Sequence, residues 1–324
     1  MNIFELLGLH SEHRIKDKVT MKVKHWDEVP ESKKPRRGVY YGQIKKDGIF
    51  CHVVKHEGAY YFFSRTGMKL TNTGYPLLHQ LMLWGESLHD GVYMTELCCD
   101  SCSLEALSGI YNPNRTKPLS EDQDQWRLSS YLAFHDYVTI DEFISGRSQA
   151  DYGHRYSLLK GMMPLELYII PVDLLHHDDV REYANYQIKH GEEGAVIKRV
   201  CEVWVAGHKG YRAMKIVRYA DYDLLCIGAE EGTGKYKGKI ANLIFRWKKG
   251  KTVKAMLGKG WTHEDAEWLF KCWSCGESIN GTPHSEGSPI GKIFQVYALQ
   301  ESSKGVLRLP KVGAQRFDKE EADV

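Results

Sequence analysis

The segment Tyr41-Gly42-Gln43-Ile44-Lys45-Lys46-Asp47-Gly48-Ile49-Phe50 brings an apolar, strand-like run to a lysine followed by Asp-Gly. An amine at such a strand end can act as a nucleophile when apolar walls or neighbouring cations keep it uncharged. By itself the tetrapeptide Lys45-Lys46-Asp47-Gly48 is a weak signal, and its plain reading is a charged turn, which Asp-Gly suits. Metal chemistry is the other class raised by residue type. Cys98-Cys99-Asp100-Ser101-Cys102 is compact and Cys272-Trp273-Ser274-Cys275 is a C-x-x-C, but a structural zinc site needs four ligands. The second group would have to recruit a residue such as His284, so these cysteines read as ordinary thiols. Glu231-Gly232-Thr233-Gly234-Lys235-Tyr236 invites a phosphate-loop reading, yet Ala229 and Tyr236 stand where that motif needs Gly and Ser or Thr. A turn between two strands is expected there.

A chain of 324 residues is long enough for two domains with ample core. Its net charge of +2 does not announce a nucleic-acid binder, so any basic surface must come from local clustering. No apolar run is long enough to span a bilayer. Met1-Asn2-Ile3-Phe4-Glu5-Leu6-Leu7 lacks the basic start and apolar core of a secretory signal. The eight cysteines are therefore expected as thiols in a reducing cytoplasm.

Residues 1–37 are polar and poorly periodic and read as a short lead-in. Strands are predicted over 39–44, 49–55, 59–64, 92–98, 165–170, 193–198 and 212–217, with helices over 72–84 and 180–190. The polar segment 118–129 reads as a loop or an exposed helix end. This alternation predicts a mixed α/β domain over residues 1–218. The pattern then changes. Strands over 224–229, 240–247 and 252–257 precede a helix opened by Thr262 and Asp265, and strands over 293–299 and 306–309 follow it. Three strands, a helix and two strands is the order of an oligonucleotide-binding (OB) barrel, expected over residues 219–324.

Taken in order, the motifs resemble those of the covalent-lysine nucleotidyltransferases, most nearly the small ATP-dependent DNA ligases of bacteriophages. Lys45-x-Asp47-Gly48 resembles the nucleophile motif, Ser64-Arg65-Thr66-Gly67 the following Ser-Arg element, and Met94-Thr95-Glu96-Leu97 the acidic strand. Leu167-Tyr168-Ile169-Ile170-Pro171 resembles the strand whose ring stacks on the base. Glu193-Gly194-Ala195-Val196-Ile197-Lys198, Ala213-Met214-Lys215-Ile216 and Arg316-Phe317-Asp318-Lys319 resemble the later motifs. The resemblance implies AMP carried on Lys45, with Lys198 and Lys215 at the phosphates and Glu96 at the ribose. It implies Tyr168 on adenine, Gln43, Ile44 and Arg65 along the nucleotide, and Glu193 with Glu96 toward Mg²⁺. Asp47 belongs to the nucleophile motif, and Arg316, Asp318 and Lys319 are implied to close over pyrophosphate.

The implied partner is nicked double-stranded DNA and the implied unit a monomer. An RNA ligase, an mRNA-capping guanylyltransferase and a non-catalytic nucleic-acid-binding relative remain the alternatives. The chain departs from the family pattern at Phe50, at Val217 and at Met94-Thr95. Two cations that usually face phosphates are absent or moved, with Arg65, Arg212 and Arg218 as candidates to compensate.

Overall fold

The computed structural model describes residues 1–10, 13, 18–275, 287–299, 301–302 and 304–324. His284 lies outside them, so the zinc grouping with Cys272 and Cys275 falls partly beyond the described residues. The chain divides into two compact units, Met1–Val217 and Arg218–Val324.

In the first unit the strands are β1 (Lys22–His25), β2 (Val39–Lys45), β3 (Ile49–His56), β4 (Ala59–Ser64), β5 (Gly91–Cys98), β6 (Tyr131–Val138), β7 (Arg147–Asp151), β8 (Tyr168–Ile169), β9 (Asp173–His176), β10 (Gly194–Arg199), β11 (Val203–Val205) and β12 (Lys209–Val217). Its helices are α1 (Ile3–Leu6), α2 (His79–Trp84), α3 (Leu104–Ile110), α4 (Glu121–Leu128), α5 (Ile140–Ser145), α6 (Tyr152–Met162) and α7 (Val180–Lys189). Two five-stranded sheets result, ordered β1-β12-β10-β2-β9 and β4-β3-β5-β6-β8, while β7 pairs with β11.

Side-chain alternation explains the first sheet. Tyr40, Ala195, Ile197 and Met214 point to one face and pack with Trp26, Leu175, Val180 and Ala184. The apolar stripe of α7 covers that face. Gly42 permits the close approach, since a Cβ there would lie 2.6 Å from both Leu175 and Tyr183. The other face is left for polar side chains.

The N-terminal stretch is more than a lead-in. β1 pairs in parallel with β12, and Ile3, Phe4, Val19 and Trp26 are buried. Burying a side chain of this size stabilises by about 1.5–3 kcal/mol, enough to hold a segment with little periodicity of its own. The segment between residues 104 and 162, of which the sequence pattern indicated only 118–129, contains α3, α4, β6, α5, β7 and α6. β6 escapes the alternation rule because His135 and Asp136 interrupt it; the structure tolerates Asp136 there because Arg155 meets it in the interior.

The second unit is a closed barrel of β13 (Ala220–Glu231), β14 (Ile240–Arg246), β15 (Thr252–Leu257), β16 (Ile293–Ala298) and β17 (Lys311–Gln315), in the order β13-β14-β15-β17-β16. Helix α8 (His263–Cys275) lies between β15 and β16 in sequence. Thr262 and Asp265 cap it reciprocally: the Asp265 N–H donates to Thr262 Oγ1 at 3.1 Å and the Thr262 N–H to Asp265 Oδ2 at 2.8 Å. The fold class is thus the expected one, with one displaced strand. The last barrel strand is 311–315 rather than 306–309, because Leu309 adopts φ 49° and Pro310 follows it, so ladder pairing starts only beyond them. Beyond Glu231, the last residue of β13, residues 232–236 form a turn with a short 3-10 piece before β14.

Candidate active site

The polar face of the first sheet gathers the lysines. Lys45, Gln43 and Tyr41 on β2 pair across to Gly194, Val196 and Lys198 on β10, which pair in turn with Val217, Lys215 and Ala213 on β12. A two-residue period therefore puts Lys45, Lys198 and Lys215 on one face although they lie far apart in sequence. In the second sheet, Phe50, Glu96, Ala133 and Tyr168 form one row across β3, β5, β6 and β8. A cavity of about 910 Å³ in the first unit is lined by Lys45, Lys198, Lys215, Glu96, Arg65 and Phe50, among others.

Lys45 Nζ meets Glu193 Oε2 at 2.7 Å, both side chains being about four-fifths hidden. Burial, the largest single influence on this amine, favours the neutral form. Glu193, Glu96 and Asp47 together outweigh it, and the pKa stands above the ordinary lysine value. The expectation of a neutral amine is thus corrected for this state: the carboxylates keep Lys45 an ammonium. Burial pushes the Glu96 carboxyl up to about 7; Lys45 opposes that shift, and Glu193 and Asp47 add to it. Lys215 is lowered by burial and then by Lys45. Asp47 is exposed and acts on both Lys45 and Glu96 through its charge.

Two glycines make this arrangement possible. A Cβ on Gly48 would lie 2.6 Å from the Leu97 carbonyl oxygen and 2.7 Å from Glu96 Cγ, so Asp47-Gly48 can lie flat against β5 only as glycine. Gly194 has φ +149°, and a Cβ there would meet the Ile216 oxygen at 2.1 Å. It sits in the row of Lys45 and follows Glu193 directly.

Deeper in the cavity, Lys198 donates to the His135 carbonyl at 3.0 Å and stands 4.2 Å over the Tyr152 ring. Burial lowers its pKa to about 8, with Asp136 opposing and Arg155 assisting. His135 is held neutral, pushed down to about 3 by burial and then by Lys198. Asp136 and Arg155 form a buried two-point pair at 2.9 and 3.0 Å. Gln43 is pinned at both ends, donating to Ile170 O at 3.1 Å and accepting from Tyr152 at 3.0 Å. Its side chain therefore braces the wall, and Ile44 lines it alongside.

Other expected residues stand elsewhere. Tyr168 is half-exposed, edge-on to Tyr131 at 6.2 Å, and does not line the cavity, although it shares the row of Glu96. Phe50 lines the cavity with its ring against His52 and His135, a contact that an arginine would not make in the same way. Val217 is buried. Arg212 does not compensate for it: its Nε lies 3.4 Å from Glu202 and its guanidinium rests on Tyr211. Arg316, Asp318 and Lys319 belong to the second unit, where they form a cluster with Asp223 and Asp323. Sequence reading missed Lys22, His25 and Lys209, which also line the cavity. The alternation Met21-Lys22-Val23-Lys24 was the available signal.

Residues 231–316 match the family described as DNA ligase OB-like domain. A probable DNA ligase from Streptomyces griseus subsp. griseus is 32% identical over 72 residues, which is 22% of this chain and 14% of that relative. The chain thus matches only a small part of its curated relative. Among solved structures, Pmar-Lig_Pre superposes with a TM-score of 0.72 at 18% identity, covering 93% of this chain and 68% of its own. A Lig E DNA ligase gives 0.65 at 14% identity, covering 92% and 98%. The ATP-dependent DNA ligase of bacteriophage T7, in complex with ATP, gives 0.53 at 16% identity, covering 93% and 99%. The chain has the DNA ligase fold. Within the ligase fold, the barrel is the part matched by the family model, and the first unit holds the lysine-rich cavity.

Proposed function

We propose that the chain is an ATP-dependent DNA ligase that seals nicks in duplex DNA, with residues 1–218 as the adenylation domain and 219–324 as the OB-fold domain. The observation that carries this reading is the Lys45–Glu193 pair at 2.7 Å, on a cavity wall shared with Lys198 and Lys215. In the first step the Lys45 lone pair attacks the α-phosphorus of ATP. The N–P bond forms, the P–O bond to the β-phosphate breaks, and pyrophosphate leaves. AMP then passes to the 5′-phosphate of the nick, and the adjacent 3′-hydroxyl displaces it.

Lys45 begins as an ammonium, so its proton must leave and its contact with Glu193 must open before attack; burial favours that change. Lys198, with a pKa of about 8, is still largely cationic at neutral pH and can meet charge gathering on phosphate. Glu96 accepts hydrogen bonds from ribose hydroxyls, whereas Tyr168, although in the same row, stands outside the cavity lining and would have to swing inward to stack on adenine. Arg65 serves at the exposed rim.

Mg²⁺ is commonly held by one or two carboxylates plus substrate phosphates. Glu193 and Glu96 offer such a donor set, and among the described residues no group of three or more His, Cys, Asp or Glu forms a full protein cage. When bound, the ion supplies positive charge to the phosphate oxygens. Arg316, Asp318 and Lys319 orient pyrophosphate in the first step after exchanging their present partners.

The basic turn at Lys248, Lys249 and Lys251, between β14 and β15, serves DNA phosphates once Lys248 leaves Glu301 and Lys251 leaves the Lys304 carbonyl. A reducing cytoplasm accords with Cys51, Cys98, Cys99, Cys102, Cys201, Cys226 and Cys272 being free thiols, and the proposed unit is a monomer. No described helix is long and apolar enough to cross a membrane.

The test offers α-labelled ATP or GTP with Mg²⁺. Covalent label from ATP, lost in Lys45→Ala without loss of fold, is expected, together with sealing of a nicked duplex. Label from GTP would favour a capping enzyme. A folded protein that takes neither label would favour a non-catalytic relative.

A further inference from the structure

The edge of the first sheet carries basic groups beyond those assigned above. β1 runs parallel to β12 with Lys22 opposite Lys209 and His25 opposite Lys215. In a regular strand, residues three apart point to opposite faces. A register shift between Val23 and Lys24 resets the alternation, so Lys22 and His25 both stand beside residues of the cavity face. All four groups line the cavity.

They also sense one another. Burial is the main cause lowering both His25 and Lys215; Lys215 and Lys209 then act on His25, and Lys45 and Lys209 on Lys215. The carboxylates that oppose these shifts are Glu28 and Asp27 at His25, and Glu193 and Glu28 at Lys215. The row of Lys45 itself continues through Gly194 and Val217 and carries no further cation. A polyphosphate attacked at one phosphorus by Lys45 would therefore find positive charge along the β1–β12 edge and none along its own row.

We propose that Lys22 and Lys209, with the neutral imidazole of His25 beside them, form a phosphate subsite continuous with Lys215. The inference rests on the ligase reading and deepens it. The ligand chemistry is a phosphate group, either the triphosphate tail of ATP beyond the attacked phosphorus or the 5′-phosphate of the nick. Grouped cations on a half-enclosed wall repel one another, and a bound anion relieves that repulsion.

The first measurement is calorimetric binding of inorganic tripolyphosphate to the full chain, which needs no catalysis and so separates failure of the subsite from failure of the ligase reading. Lys22→Ala/Lys209→Ala should bind about tenfold more weakly, the effect of losing a charge-assisted contact. Lys209→Arg should bind like the wild type. Because Lys209 is exposed, Lys209→Gln alone is the variant to use should the double variant fail to fold.

Two kinetic arms then name the source. A rise of about tenfold in KM for ATP during self-adenylation assigns the subsite to the triphosphate tail. A comparable loss in sealing a pre-adenylated nick without ATP assigns it to the 5′-phosphate. Absence of tripolyphosphate binding to the wild type, or equal binding by wild type and a folded variant, overturns the proposal.

Discussion

Lys198 is 4% exposed, donates to a backbone carbonyl and makes no ion pair among those of the described residues. Its pKa of about 8, against 10.5 for a free lysine, means that folding at neutral pH buries a charge at a cost of about 3 kcal/mol. Below pH 8 both folded and unfolded chains hold the proton and the cost is present in full. Between about 8 and 10.5 the unfolded chain still binds the proton while the native one releases it, so stability rises with pH. The wild type should therefore gain about 2 kcal/mol on Lys198→Met between pH 7.5 and pH 10. Urea unfolding of both proteins at the two pH values measures the difference, and a gap that stays constant would show that Lys198 is solvated. The residue types of the site were legible from their motifs, but these charge states were not. The sequence motif led to a neutral Lys45, whereas three carboxylates from separate segments keep it charged.

At the scale of elements, the site depends on how closely the loop after β2 approaches β5. Gly48 is where that approach is tightest, and the atom in the way of a Cβ is backbone, which cannot rotate aside. Gly48→Ala should cost about 1–3 kcal/mol by overpacking. It should also slow self-adenylation by about a hundredfold, because a shift of about 1 Å in a reacting group is that costly. Gly109, inside α3, is the control: nothing lies within 4 Å of a Cβ there, and alanine should stabilise the helix by about 0.5–1 kcal/mol. Thermal melts and labelling rates on both variants test the pair, and a Gly48→Ala protein that labels at the wild-type rate would remove the argument.

For the whole molecule, the question is what the terminal motif does. Arg316 holds Asp223 at 2.7 Å and Asp318 at 2.7 and 2.9 Å, while Lys319 reaches Asp223 and Asp323. Asp223 is buried at the start of the barrel, and its backbone N–H donates to Asp323 Oδ2 at 2.7 Å. These side chains thus brace the second unit as found, and a role at pyrophosphate requires them to change partners. Arg316→Ala/Lys319→Ala should slow self-adenylation by at least about tenfold, with sealing of a pre-adenylated nick much less affected, since the later steps release no pyrophosphate. Equal losses in both assays would make the cluster a purely structural brace. Because β17 extends to Gln315, point variants are the suitable test, and truncation after Gly313 would cut the strand.

The sequence by itself determined the strand at 39–44 and the lysine that ends it, the order of the later motifs and the succession of elements that makes a barrel. Alternation and turn chemistry are written in neighbouring residues, and they act before any long-range contact exists. Only the tertiary structure decided that Glu193 holds Lys45 across 148 positions of chain, and that a four-residue strand at 22–25 completes the sheet. A strand so short has too little period to declare itself; the register of its partner almost two hundred residues later determines which way Lys22 and His25 face. The charge of a lysine is likewise a property of what surrounds it, and that surrounding is assembled only when distant strands pair.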